Sequence, residues 1–155
     1  MRKKGLRFIL DKQKEYEEYA EVVSEWNNID ALLSTAYEDT LDDDHIEDEE
    51  FKEIARDTIL SYQPFLKELK VYQIKSQEIQ KLHLLYIKGI EEYLRSIKLN
   101  IRCIEEDSEE LERELEQELS KTQDQVEDLD LEFKTKIIEL GRKLMSSIVW
   151  VEDNS

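Results

Sequence analysis

Residues that turn or break a chain are nearly absent here: glycine occurs three times and proline once in 155 residues. A sheet needs turn residues after each short strand, whereas long helices need few. The chain is therefore expected to be all-α. Hydrophobic residues make up 39% and charged residues another 39%, the balance expected of helices that bury one stripe and expose the rest. A chain of this length forms one domain with a workable core. Together these features predict an antiparallel bundle of three or four long helices with coiled-coil-like packing, a single domain over 1–155.

Hydrophobic spacing places the elements. Tyr16, Tyr19, Val22, Val23, Trp26, Ile29, Leu33 and Ala36 recur every three or four residues, predicting a helix over about 6–37. From Glu38 to Glu53 ten of sixteen residues are Asp or Glu, and 38–48 reads as a solvated connector. A second helix is expected over about 49–70, with Ile54, Ile59, Tyr62, Leu66 and Leu69 on its apolar face. Pro64 inside it predicts a kink, or a break near Ser61. A tight turn should follow through Lys70–Ser76, with Ser76 as the next N-cap.

The clearest periodicity comes last. Ile90, Leu94, Ile97, Ile101 and Ile104 alternate steps of four and three, and the pattern continues through Leu111, Leu115, Leu119, Val126, Leu129, Phe133, Leu140 and Leu144. One unbroken helix over 77–148 would be about 110 Å long. Like-charge pairs such as Glu105–Glu109, Glu106–Glu110 and Glu110–Glu114 each oppose that helix by about 0.2–0.5 kcal/mol. Asp107 and Glu110 also have the spacing of a capping box. Both observations favour a hairpin, with helices over about 77–105 and 108–148.

Charge narrows the function. The formal net charge of −17 repels nucleic acid and anionic membrane and attracts basic partners. It is unevenly spread: 105–118 holds nine acids and one arginine, 66–102 eight basic and four acidic residues, and 1–14 six basic residues and one acid. A basic third helix beside an acidic fourth would help set their register. The surplus acids are expected to face a basic partner, with Glu105, Glu106, Glu109, Glu110, Glu112 and Glu114 as contact residues. The apolar tail around Trp150 either caps the bundle or offers a docking strip, in which Trp150 is the anchor.

Motifs for catalysis are missing. No glycine-rich phosphate loop, nucleophile elbow or dinucleotide fingerprint occurs. Cys103 is the lone cysteine, so no internal disulfide forms, and neither His45 nor His83 is near it in sequence. Di-iron bundles need Glu-x-x-His repeats, which are absent, and His83 beside Ile79, Leu82 and Tyr86 reads as a packed histidine. Asp39–Glu50 has the length of a calcium loop, but Leu41 takes the third ligand position and Asp44 stands where the turn requires glycine. No apolar run reaches the roughly 18–20 residues of a membrane span. The apolar start, Leu6–Leu10, is broken by Arg7 and stopped by Asp11, which is unlike a signal peptide. Cytoplasm is the expected compartment.

The reading is a non-enzymatic protein–protein interaction module with no cofactor: an adaptor, inhibitor or immunity protein, secretion partner or assembly subunit. It presents acidic helix faces to a basic partner or associates with itself, without touching nucleic acid directly. Two alternatives stand beside it. One is an acidic, nucleic-acid-mimicking inhibitor of a DNA- or RNA-binding protein; the other is a metal-binding helical-bundle enzyme.

Overall fold

A computed structural model describes residues 2–153. It contains four helices: α1 (Arg2–Leu41), α2 (Asp48–Val71), α3 (Gln77–Glu105) and α4 (Glu109–Asp153). No strand occurs among the described residues. α1 packs beside α2 and α4, and α3 packs beside the same two, so α1 and α3 face each other across the core. Short connections make successive helices antiparallel. The segment from 77 onward is a hairpin, and α3 on α4 is the most extensive pairing in the molecule.

The core is rich in aromatic rings. Tyr19 and Trp26 of α1, Tyr62 and Leu69 of α2, and Ile79 and Ile97 of α3 are fully buried, and Leu129, Phe133, Leu140 and Leu144 close it from α4. Two expected stripes lie partly off their true axis. On α1, Ala36 is exposed and Tyr37 is buried. Three turns of 3.6 residues carry the inner line from Trp26 to Tyr37, and on the way that line passes Asp30. On α2, Ile54 and Ile59 are only partly buried, while Phe51, Ala55, Thr58 and Phe65 face inward.

Local expectations are corrected at four places. α1 runs on to Leu41, taking up the first residues expected in the connector. Pro64 neither breaks nor ends α2. It lies on the exposed side with Leu60, whose carbonyl loses its helical donor to the proline and faces water instead. Ser76 occupies the N-cap of α3, but its side chain makes no capping bond. Glu15 of α1 instead holds the backbone just ahead of the helix, accepting the Ser76 N–H at 2.9 Å and the Lys75 N–H at 3.2 Å. At the head of α4 the cap is Ser108 rather than Asp107: its Oγ accepts the Leu111 N–H at 3.4 Å and its carbonyl the Glu112 N–H at 2.9 Å.

α1 and α4 have 40 and 45 residues, against 24 and 29 for α2 and α3. The start of α1 and the end of α4 therefore project together beyond the α2–α3 connection. Tyr16 lies across their junction and donates its hydroxyl to the Ile137 carbonyl at 2.9 Å. Gly141 makes this approach possible, because a Cβ there would overlap the Tyr16 ring, 2.8 Å from Cζ.

Candidate functional site

Antiparallel order brings the α1–α2 and α3–α4 connections to the same end of the bundle. The two acid-rich stretches, 38–53 and 105–118, therefore form one surface. Between them they hold nineteen acids and two basic residues, a formal charge equal to that of the whole chain. Part of this charge is engaged within the fold. Glu105 pairs with Arg56 at 3.5 Å, Glu118 with Arg95 at 2.5 Å and Glu49 with Lys52 at 2.8 Å. Glu106 turns back to accept the Ser108 N–H at 3.2 Å, and Glu112 is half-buried. Glu109, Glu110 and Glu114 are exposed. Acids in the first turn of α4 also sit favourably at the positive end of the helix dipole.

Trp150 is not part of that surface. Thirty-six residues of α4 separate it from Glu114, about 54 Å at the helical rise. It is exposed, in company with Phe8, Leu10, Met145 and Val149, where the start of α1 meets the end of α4. Lys12 lies 4.8 Å above the Phe8 ring. The six glutamates thus gather at one end of the molecule and the tryptophan stands at the other.

A third feature was not anticipated from the sequence. A half-open cleft of about 360 Å³ lies between α1 and α4 over α3, its walls including Tyr86, Tyr93, Leu129 and Phe133. Asp30, Glu38, Glu127 and Asp130 stand around it. Tyr62 and Tyr93 donate to Asp30 and Glu38, each at 2.5 Å, and Tyr86 donates to Asn27 at 2.9 Å. Burial pushes the Asp30 carboxyl above its ordinary range; the Tyr62 bond opposes this, and the Asp130 and Glu38 charges add to it. The available signal was the spacing of Tyr86, Gly89 and Tyr93, which shares one face of α3.

His83 is buried inside an aromatic cluster with Tyr19, Trp26 and Tyr72. Its Nε2 lies 2.5 Å from the Leu69 carbonyl and its Nδ1 3.1 Å from the Tyr19 hydroxyl. A carbonyl only accepts, so Nε2 carries the proton and Nδ1 accepts from Tyr19. This histidine is a neutral core group. Burial lowers its pKa, and the bond to Leu69 partly opposes that shift. Cys103 is half-buried, and its pKa is raised by burial and by Glu116 and Glu112, which holds it as the less reactive thiol. Among the described residues no three His, Cys, Asp or Glu side chains are placed to share a metal ion, and no helix is long and apolar enough to cross a membrane.

No protein family, curated protein or solved structure matches this chain.

Proposed function

We propose that the protein is a non-enzymatic interaction module whose acid-rich end docks a basic surface on another protein. The observation that supports it is the convergence of 38–53 and 105–118 on one end of the bundle. Crowding like charges opposes folding, and the Glu105–Arg56 and Glu118–Arg95 pairs at that end are exposed, a type worth about 0–1 kcal/mol each. Stability alone therefore gives little reason to gather nineteen acids there. Their field would steer a basic partner to that end and orient it on arrival.

The test uses wild type and a triple variant, Glu109→Lys/Glu110→Lys/Glu114→Lys, as baits in the source lysate. All three positions are exposed, so circular dichroism should show the same helix content in both. A stoichiometric basic protein held by wild type and lost from the variant supports the reading. Equal capture by both baits removes the acidic end from it. Competition by duplex DNA for the same partner would identify the narrower version, an acidic decoy occupying a nucleic-acid-binding surface.

Self-association is the second reading, and the exposed apolar residues where α1 and α4 project together favour it. Light scattering would then give a defined dimer or larger species, reduced to monomer by Phe8→Asp with Val149→Asp.

A further inference from the structure

The cleft over α3 combines three properties. Three aromatic residues, Tyr86, Tyr93 and Phe133, line it. Four carboxylates rim it, and among the described residues no lysine, arginine or histidine lines it. Gly89 forms part of its floor, inside α3, where an added Cβ would meet just Leu129 at an ordinary 4.0 Å. Glycine weakens a helix relative to alanine, and no packed neighbour requires it here. Its effect is to keep the floor open.

We propose that this cleft binds a small organic ammonium ion, its apolar part against Leu129, Phe133 and Gly89 and its cationic head among the carboxylates. Aromatic faces attract ammonium ions through their quadrupole, and the attraction grows when the ion is partly desolvated. A neutral apolar molecule would bury part of the acidic rim and return no charge to it. The volume of about 360 Å³ lies in the small-ligand range. Along α1 the lining extends from Asn27 to Glu38, about three helical turns, which suits a molecule of one or two rings. Asp30 and Glu38 each give one oxygen to a tyrosine hydroxyl, which fixes both carboxylates at the cleft. Asp130 shares its charge with Lys134 at 2.6 Å, an exposed pair of the kind readily exchanged. This site shares Glu38 with the 38–53 stretch, but none of the exposed acids Glu109, Glu110 and Glu114 lines it.

The probe is benzyltrimethylammonium, titrated into ¹⁵N-labelled protein and followed by amide chemical shifts. Gly89 is one of three glycines in the chain, so its amide is simple to assign, and Gly5 and Gly141 lie outside the cleft as references. The expected result is a saturable shift at Gly89 with both references unmoved. Neopentylbenzene, the uncharged isostere, should give no such shift. Asp30→Asn keeps an oxygen for Tyr62 and should weaken binding about fivefold. Gly89→Ala, followed at the Tyr86 and Ile90 amides of the same cleft, should weaken it about threefold or more while the thermal midpoint does not fall. The proposal is overturned by no saturation at Gly89, an equal response to neopentylbenzene, unchanged binding in both variants, or shifts confined to the amides of Glu109–Glu114. Tighter binding of an amphipathic Leu/Lys peptide at Gly89 would also overturn it, assigning the cleft to a protein segment.

Discussion

His83 couples the aromatic core to pH. Its folded pKa lies below the ordinary imidazole value of about 6.5, first because of burial. A depressed pKa means that the unfolded chain binds the extra proton more readily. The stability held by neutral His83 is complete above about pH 6.5 and is lost as pH falls through the folded pKa. Protonation at Nδ1 would also turn the acceptor of the Tyr19 hydroxyl into a second donor. Thermal midpoints at pH 7.5 and 5.5 should therefore differ more in wild type than in His83→Gln. An equal difference in both would place the pH response elsewhere.

At Gly141 the sign of a substitution depends on Tyr16. Alanine there meets the Tyr16 ring, and overpacking of this kind costs about 1–3 kcal/mol. In a Tyr16→Ala background the obstruction is gone, and the same change should stabilise α4 by up to about 1 kcal/mol through helix propensity. Chemical denaturation of the four-member cycle measures both effects. The sequence places Tyr16 on the apolar stripe of α1, but its pairing with Gly141 is not visible there, because the two are more than a hundred positions apart.

At the scale of elements, α3 begins where α1 permits it. Glu15 supplies two acceptors to the backbone ahead of Gln77, so the α2–α3 connection is fixed from a third helix. Glu15→Ala should cost about 0.5–2 kcal/mol, as loss of a cap does, and speed amide exchange at Lys75 and Ser76 more than elsewhere. Glu15→Gln keeps an acceptor and should lose less. The position of this helix start was legible in the sequence; the group that fixes the backbone ahead of it was not, because Ser76 has the residue type of a cap and the acceptor comes from another helix. The stripes show the same division. Ile90, Leu94, Ile97 and Ile101 are buried as their spacing suggests. Asp30, on the inner line of α1, was passed over because a carboxylate does not register in a hydrophobic pattern. The cleft it borders was illegible for that reason.

For the whole molecule, the question is how much of its charge opposes the fold. The described ion pairs are largely exposed and contribute little, whereas the acid-rich end repels itself over distances that salt screens. Raising ionic strength from about 0.1 M to 1 M shortens the screening length from about 10 Å to 3 Å. The thermal midpoint should rise over that range; a fall would mean that the ion pairs outweigh the repulsion. That two distant stretches of sequence share this end follows from the hairpin over 77–153 and from the even number of helices. The acid runs themselves are visible in the chain, but their meeting, and the separation of Trp150 from them, depends on topology.

The even number of helices also determines how the protein stands on a support. The start of α1 and the end of α4 leave the bundle side by side, and the acid-rich surface lies at the far end of both. A tether at either position would hold the molecule upright on a bead or sensor chip with that surface outermost, about 60 Å from the attachment. Immobilisation by α1 or by α4 should then give interchangeable baits, whereas coupling through surface carboxylates would press the acid-rich end against the matrix and hide it.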